Sequence, residues 1–367
     1  MLKNTQILLI HKQLKRLAGG GGGGGYKSLK DNTLYGIKNI YFHKDFFATF
    51  TQYSLDSHLF QLQDTKDCIT LDFLTFQNIA PTPPHIDYII FIDSDDYWEK
   101  DCLIECLNSF ESARAMGVET QIVWFDLRMV YDNIAYHINE ERPFQTYFKH
   151  CSTSIMDSKQ WIEITQHLHY PWGFAHAGMI DFEFFVKTQL YYTNRANWED
   201  VGFGIMLFVY ASAIFMLNKQ LYVHRARDNS ISRFEKSPII NVPPFLQPLD
   251  DIFHNPYLTR KYHKAVSAFF LAHSLALGIE RIQDKQKAEI LREHFFTSCL
   301  HWAFGIFMFP QDPLCISQRF VEFKPYVKGL KLGKLSFLKH LIIAYPQCGK
   351  IYGWIQRLRH KDWLKKI

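Results

Sequence analysis

The chain has few cysteines, and they are not spaced as a disulfide framework or a zinc site requires. Its 367 residues include seven cysteines, an odd number, with no Cys-x-x-Cys pair. Cys102 and Cys106 lie four residues apart, but no histidine or cysteine partner follows at ligand spacing. The pattern therefore predicts reduced thiols in a cytoplasmic protein.

The sequence also lacks a long apolar run of the kind that crosses a membrane. Its longest uncharged stretch, 201–218, is at the lower limit for a membrane span and is interrupted by Gly202, Gly204 and Ser212. We predict a buried helix followed by a buried strand in this stretch. No signal peptide is expected, because the apolar residues 7–10 precede the first basic cluster instead of following it.

What the chain does contain is the composition of a folded protein with an uneven distribution of charge. Hydrophobic residues make up 47% and charged residues 21%, and the length allows two domains. The net charge of +5 divides into +10 for residues 324–367, which hold 11 Lys and Arg and one acid, and −5 for the remainder. With Trp354 and Trp363 among the basic residues, this tail fits an interfacial anchor on an anionic membrane. There are two alternatives: a solvated tail, and a patch that binds nucleic acid, although no recognition motif is present.

Seven consecutive glycines occupy residues 19–25. Such a run loses too much backbone entropy to form a helix or a strand. This run has three interpretations. It is a phosphate-binding loop, a flexible linker, or the product of a guanine tract in the gene that slips during replication and switches the reading frame (phase variation). On the third, residues 1–18 are a poorly selected leader.

The most informative segment is 87–98, where a strand-like run ends in clustered carboxylates. Tyr88–Ile92 is apolar and aromatic, as in a strand buried on both faces, and Asp93, Asp95 and Asp96 follow it. Carboxylates this close repel one another unless a cation lies between them, so a divalent metal that holds a phosphate-bearing ligand is predicted. A helix cap is the alternative, although a cap needs only one such residue.

A helix over 100–116 and a strand over 122–125 are predicted to follow this strand. Strand, helix and strand in that order form a parallel crossover unit, which indicates an α/β fold. Further helices are predicted at 262–282 and 285–309, after a proline-rich connector at 237–248.

A second acidic pair opens the apolar run at 201–218. The segment 197–202 reads NWEDVG, and Glu199 and Asp200 would gain from the dipole of a helix that starts there. One carboxylate could be a general base beside a sugar hydroxyl, and a helix cap is again the alternative.

Arginines follow a strand predicted at 220–223. Arg225 and Arg227 alternate, so they would point to one face of an extended segment. Guanidinium groups suit a diphosphate because they pair with its oxygens in a bidentate manner. A solvated edge strand explains the same pattern equally well.

Together, these three segments resemble the glycosyltransferase family 2 pattern on the GT-A fold, over residues 87–232. YIIFIDSDDYW resembles the DxD strand of that family, NWEDVGFG its Glu-Asp catalytic motif, and YVHRARDNSIS its segment that ends in Asn-Ser-Ile. The resemblance implies a Rossmann-like, mostly parallel sheet flanked by helices, with a mostly helical C-terminal region. It also implies an inverting transferase that uses a nucleotide-sugar, expected to be a UDP-sugar, and Mn²⁺ or Mg²⁺.

The resemblance also suggests roles for individual residues. Asp93 and Asp95 would contact ribose, diphosphate or metal, with Asp95 the better metal ligand, and Asp200 would deprotonate the acceptor hydroxyl. Arg227 stands where some relatives have a metal-binding histidine, so either His224 substitutes for it or Arg225 and Arg227 neutralise the diphosphate directly, and we favour the second. The residues expected to bind the acceptor are Trp172, His176, Trp198 and Glu199.

One feature of the family is missing. Relatives begin with a strand that ends in Pro-x-Tyr-Asn and a second that ends in Asp-Asp-Gly-Ser, and neither occurs before Asp87. The predicted division is a leader at 1–37, a GT-A catalytic domain at 38–235 and a helical region with a basic tail at 236–367.

The predicted function is transfer of a hexosyl or N-acetylhexosaminyl group to a lipopolysaccharide or lipooligosaccharide acceptor. The enzyme would work in the cytoplasm, with peripheral attachment to the inner face of the membrane as an option, and without a nucleic-acid partner. A metal-dependent nucleotidyltransferase and an inactive, phase-switched glycan-binding or membrane-scaffold protein are the alternatives.

Overall fold

A computed structural model describes most of the second half of the chain and several segments of the first. The described residues are 7–11, 39–43, 60–64, 68–73, 86–93, 96–132, 154–166, 176–190, 192–193, 196–227 and 240–359. Asp95, Trp172, the glycines at 19–25 and the residues 360–367 lie outside these ranges.

Most of the described strands have two to six residues, and two are longer, with 11 and 14 residues. They are β1 Ile7–His11, β2 Asn39–His43, β3 Phe60–Asp64, β4 Cys68–Phe73, β5 Tyr88–Ile92, β6 Tyr97–Trp98, β7 Ile122–Asp132, β8 Ile155–Met156, β9 Gly178–Asp181 and β10 Ile214–Arg227.

The described helices lie mainly after β10. They are α1 Cys102–Ala115, α2 Ser158–Gln166, α3 Phe182–Thr188, α4 Glu199–Tyr210, α5 Gln247–Phe253, α6 Pro256–Arg281, α7 Lys285–Ile290, α8 Thr297–Ala303, α9 Ser336–Ala344 and α10 Gly349–Arg359. A π-helical turn, Leu291–Phe296, joins α7 to α8. Shorter 3₁₀ segments are Pro244–Leu246, Phe304–Met308, Ile316–Phe323 and Pro346–Cys348.

The chain divides into two compact units, which are described separately. The first comprises the described residues up to Arg128, those of His176–Tyr191, and Phe215–His224. The second comprises the described residues of Met129–Ala175, Tyr192–Ile214 and Arg225–Ile367. The domain boundaries predicted at 37 and 235 stay predictions.

The main sheet of the first unit follows the order β1-β5-β9-β7-β10-β6. β1 pairs with β5 in parallel, whereas β9 pairs antiparallel with both β5 and β7. β1, β5 and β7 therefore run in one direction, as a crossover unit requires, and β9 lies between the two strands that α1 connects. The sheet is thus mixed where β9 enters it. A separate antiparallel sheet has the order β2-β4-β3.

The centre of this sheet is buried, as the apolar sequence of β5 predicts. Ile89 and Ile90 have no exposed surface, and the same is true of Trp124 on β7. α1 covers the sheet through Phe110, whose ring stacks on Tyr88 with the ring centroids 4.3 Å apart. The strand predicted at Tyr88–Ile92 is confirmed with these bounds.

The second unit is built around α6, a helix of 26 residues. Pro256 occupies its first turn, and the Asn255 side chain accepts a hydrogen bond from the Leu258 amide at 3.1 Å. α4 packs closely on α6 because a glycine lies at each contact. A Cβ added at Gly202 or Gly278 would lie 2.5 Å from a side-chain atom of the facing helix.

The sequence-based fold class is confirmed: an α/β chain with helices around a central sheet and a mostly helical C-terminal region. The stretch 201–218 is indeed a buried helix followed by a strand. Among the helices of the described residues, none is long and apolar enough to cross a membrane. Part of the predicted leader, Ile7–His11, forms β1 beside β5.

Candidate functional site

The chain turns sharply after β5 and returns to the sheet as β6. The Asp96 amide donates a hydrogen bond to the Asp93 carbonyl at 3.1 Å, which closes a tight turn between the two strands. Because β5 lies inside the sheet, the turn brings Asp93 and Asp96 to its carboxyl end. This is the edge of an α/β sheet where ligands bind.

Asp96 is the more buried of the two, and side chains from β10 hold it. Its carboxylate has no exposed surface. Oδ2 accepts a hydrogen bond of 2.6 Å from the Tyr222 hydroxyl and lies 3.0 Å from Nδ1 of His224. Tyr222 and His224 are two residues apart on one strand, so both side chains leave the same face. β10 brings them to Asp96 because Tyr222 pairs with Trp98 on β6.

Asp93 lies against His176, which is two residues before the start of β9. Nε2 of His176 is 3.2 Å from Oδ2 of Asp93, and the His176 side chain is only 10% exposed. β9 is the neighbour of β5 in the sheet, which explains why residues 83 positions apart along the chain meet here. The same imidazole lies beside the Tyr222 ring, with the ring centroids 5.1 Å apart.

Tyr222 connects the two aspartates. Its hydroxyl oxygen accepts a hydrogen bond from the Asp93 amide at 3.2 Å, while its proton goes to Asp96. Burial raises the pKa of Tyr222 well above its ordinary value, and the charges of Asp93 and Asp96 raise it further. Tyr222 therefore stays protonated and serves as a fixed donor that sets the position of the turn.

The donor set at this turn fits a divalent cation. Asp93, Asp96 and His176 each offer a ligand atom, and these atoms lie within 4.8 Å of one another. Carboxylate oxygens are the ligands that Mg²⁺ and Mn²⁺ prefer, and one imidazole nitrogen is compatible with Mn²⁺. A proton and a metal compete for Nε2 of His176, since the nitrogen offers its lone pair only when it is deprotonated.

The predicted site residues are brought together only in part. Asp93 and His176 lie in one cluster, whereas Asp95 and Trp172 are outside the described residues. The role expected for His176 at the acceptor stays a prediction, and its observed contact is with Asp93. Arg225 lies near the end of β10 and is partly exposed.

Tyr222 was not assigned a role from the sequence, and His224 was considered only as an alternative ligand. Asp96 belonged to the acidic cluster from which a metal was predicted, but the contacts were expected from Asp93 and Asp95. Arg227 lies within β10, but its side chain is outside the described part of the chain. The sequence does contain one local indication of their role, because Tyr222 and His224 alternate at the end of a buried strand and therefore point to the same face. Nothing local indicated that this strand would lie beside β6.

The second acidic pair lies in the other unit, at the start of α4. Glu199 and Asp200 occupy the first turn of the helix, and both are partly exposed. Trp198 precedes them in the left-handed conformation, with φ of 59°. This conformation is rare for a bulky residue, so the surrounding packing must hold it.

That packing comes from α6 and α8. The Asn197 amide donates to Oγ of Ser267 at 2.9 Å, and its side-chain nitrogen lies 3.2 Å from Nδ1 of His263. Trp302 lies beside Trp198 with the ring centroids 5.6 Å apart, and Nζ of Lys264 is 5.4 Å from the centroid of the Trp198 ring. Glu199 and Asp200, which are partly exposed, therefore follow two residues that contacts with α6 and α8 hold in place.

Comparison with known proteins finds no match to a protein-family model and none to a curated protein. Among solved structures, the chain is similar to residues 1–349 of S. aureus TarS, with 13% identity, a TM-score of 0.42, and coverage of 77% of this chain and 70% of that chain. The complex of the same protein with UDP-GlcNAc gives 12% identity, a TM-score of 0.41, and coverage of 77% and 71%. Likeness of this degree assigns the chain neither a family nor an activity.

Proposed function

We propose that the chain is an inverting glycosyltransferase that moves a sugar from a nucleotide-sugar to a glycan acceptor. The observation that carries the proposal is the cluster of Asp93, Asp96 and His176 at the carboxyl end of a buried strand. Buried carboxylates are costly unless a counter-charge and hydrogen bonds stabilise them. A nucleoside diphosphate with a divalent cation is the kind of ligand that such an edge accommodates.

Asp93, Asp96 and His176 are the residues that would hold the metal, together with Asp95, which lies between the two aspartates in the sequence. A bound Mn²⁺ or Mg²⁺ would supply Lewis-acid stabilisation of the diphosphate leaving group. Tyr222 and His224 would keep Asp96 in place for this role, because both contact its Oδ2 atom. The resemblance to family 2 enzymes supports a UDP-sugar as donor.

Arg225 and Arg227 would pair with the diphosphate oxygens. Guanidinium groups provide parallel N–H donors for such oxygens, and they remain charged at any working pH. Neutralising the charge that develops on the departing diphosphate lowers the barrier to its release.

Asp200 would act as the general base. The acceptor hydroxyl oxygen attacks the anomeric carbon, the bond from that carbon to the diphosphate oxygen breaks, and the hydroxyl proton passes to Asp200. Attack from the face opposite the leaving group inverts the anomeric configuration. The rigid mounting of the α4 start through Asn197 and Trp198 supports this role, since proton transfer needs a fixed geometry.

Trp198, Glu199 and Trp172 are proposed to bind the acceptor, which we take to be a lipopolysaccharide or lipooligosaccharide glycan at the cytoplasmic membrane face. His176 has a competing proposed role as a metal ligand, and its distance to Asp93 favours that role. The transferred group would be a hexosyl or an N-acetylhexosaminyl unit. Phase variation through the glycine tract would switch this activity at the level of expression.

A screen of nucleotide-sugars tests the proposal. The purified chain is incubated with a panel of donors that includes UDP-GlcNAc, in Mn²⁺, Mg²⁺ or EDTA, and release of the nucleoside diphosphate is measured. We expect release from at least one donor with metal, and its loss in EDTA and in Asp96→Asn. Asp101→Asn is the matched control, because Asp101 lies in the same unit, is exposed and makes no side-chain capping bond.

Two results would overturn the proposal. Release of pyrophosphate in place of the diphosphate would identify a nucleotidyltransferase, which also clusters carboxylates at strand ends. A folded chain that binds none of the donors would support the inactive glycan-binding or scaffold alternative.

A further inference from the structure

The last described helix, α10, packs on the rest of the second unit through two glycines and a tyrosine. Gly349, Tyr352 and Gly353 are buried. A Cβ added at Gly353 would lie 2.0 Å from the Phe307 carbonyl oxygen, so only glycine allows this approach. The Tyr352 ring lies between 5 and 7 Å from the rings of Phe304 and Phe307 (centroid distances 5.5 and 6.4 Å).

The opposite side of α10 carries large apolar residues in solvent. Ile351 is 56% exposed, Trp354 59% and Leu358 49%. Their spacing of three and then four residues places them along one stripe of the helix. This stripe lies across the helix axis from the glycines, so the packing of α10 cannot cover it. We call these three residues the outward face.

Basic residues flank the outward face. Lys350 and Arg359 are exposed, and Arg357 reaches back to the Met308 carbonyl, to which its Nη1 donates at 3.2 Å. Residues 324–359 contain eight Lys and Arg and no Asp or Glu. The outward face is therefore an apolar stripe within a strongly positive region.

We propose that the outward face of α10 docks on an anionic phospholipid surface. An amphipathic helix with Trp and aliphatic residues on one side and Lys or Arg beside them lies at the headgroup boundary, with its apolar side in the acyl region. The basic residues add attraction to anionic headgroups. The docking requires no change in α10, because its packed side is already occupied by the protein. It goes beyond the proposed transfer reaction and does not depend on it.

Two other occupants fit the same face less well. A second copy in a two-fold arrangement would bring the basic flanks of α10 against their own equivalents, and residues 324–359 offer no acid to complement them. A nucleic acid would satisfy the basic residues but not Ile351 and Leu358, which gain nothing from a phosphate backbone. A lipid surface satisfies both kinds of residue.

Vesicle binding of the full chain tests this inference. Co-sedimentation is measured with vesicles of equal parts phosphatidylglycerol and phosphatidylcholine, and with phosphatidylcholine alone. We expect binding to the anionic vesicles that weakens at high salt, and a loss of about tenfold or more when Ile351, Trp354 and Leu358 are all changed to Gln. The pair Lys350→Gln and Arg359→Gln should also lower binding about tenfold.

Matched variants separate docking from general hydrophobicity and charge. Met116, Ile252 and Leu277 are exposed apolar residues of other segments, and their change to Gln should leave vesicle binding unaltered. The pair Lys159→Gln and Lys285→Gln removes two exposed charges elsewhere and should have little effect. Thermal unfolding of each variant verifies that it is folded.

Three outcomes would refute the inference. The first is equal vesicle binding by the wild type and the outward-face variant. The second is a wild type that sediments as a dimer without lipid while the variant sediments as a monomer, which would assign the face to a second copy. The third is binding to duplex DNA that the variant loses, without binding to anionic vesicles.

Discussion

The two acidic motifs of this chain are built in opposite ways. After β5, the carboxylates themselves are held: Asp96 by Tyr222 and His224, and Asp93 by His176, through contacts that span 83 to 128 residues of sequence. At the start of α4, the preceding residues are held, and Glu199 and Asp200 remain partly exposed. The first arrangement brings two carboxylates and an imidazole close together, and the second places two partly exposed carboxylates directly after a segment that is held by packing.

This difference indicates which property each motif controls. Asp96 is buried, so its contacts affect the stability of the fold as well as the binding of a ligand. Asp200 is partly exposed in the first turn of a helix. A change at Asp200 should therefore affect the stability of the fold less than a change at Asp96.

The largest expected effect is that of Asp200→Asn on transfer. Loss of the proposed general base should lower kcat about 10²–10⁴-fold, because the amide cannot accept the hydroxyl proton. Nucleoside diphosphate affinity, measured by calorimetry, should stay within a factor of about two because the donor contacts are elsewhere. Asp251→Asn, an exposed carboxylate of the helical unit, is the control. A variant with full activity would remove Asp200 from the mechanism.

Tyr222→Phe should have the next largest effect, and a second tyrosine provides its control. Tyr262 makes the same arrangement in the other unit: its hydroxyl accepts from the Leu314 amide at 3.1 Å and donates to Asp312 at 2.5 Å. Each change to Phe removes a buried donor and should lower the free energy of unfolding by about 1–3 kcal/mol.

Only Tyr222→Phe should also weaken Mn²⁺ binding, by about 10–100-fold, because Tyr222 orients a ligand of the proposed site. Urea unfolding and metal titration measure the two effects independently. Equal Mn²⁺ affinity in both variants would mean that the hydroxyl of Tyr222 is purely structural.

The last prediction concerns Lys339, a buried lysine outside both acidic motifs, where no effect on donor binding is expected. It is 2% exposed, its Nζ donates to the Leu332 carbonyl at 2.9 Å and contacts His301, and burial lowers its pKa from 10.5 to about 8. Between these values the unfolded chain binds the proton more tightly than the folded chain. The free energy of unfolding should therefore rise with pH over this interval, by at most about 3 kcal/mol.

Lys339→Met should remove that rise and leave donor binding unchanged. Burial and the charge of Lys339 both lower the pKa of His301, so His301 stays neutral over the same interval and does not contribute. Urea unfolding of the wild type and the variant between pH 8 and pH 10 measures the two slopes. Equal slopes would show that burial does not lower the pKa of Lys339.

Local signals were sufficient to predict β5 and the end of the strand at Asp93. An uninterrupted apolar run followed by aspartates contains this information within a few residues. The helix predicted over 262–282 begins at Pro256, and Asn255 and Pro256 are recognisable start signals. Apolar spacing alone misses them because both residues act through the backbone and not through an apolar face.

The partners of Asp96 could not be predicted in the same way. Tyr222 lies 126 residues from Asp96, and they meet because β10 pairs with β6 in the sheet. The position of β9 between β5 and β7, which brings His176 to Asp93, is also a property of sheet order. No pattern within β5, β9 or β10 specifies that order, whereas the type of each element is encoded locally.

The central claim is that Asp93, Asp96 and His176 form a metal site for a nucleoside diphosphate. Titration calorimetry with Mn²⁺, and then with UDP in the presence and absence of Mn²⁺, tests it most directly when the wild type is compared with Asp93→Asn and with the control Asp101→Asn. We predict one Mn²⁺ per chain, UDP binding that requires the metal, and loss of both only in Asp93→Asn. A folded wild type that binds no Mn²⁺, or that binds UDP equally well in EDTA, would contradict the claim.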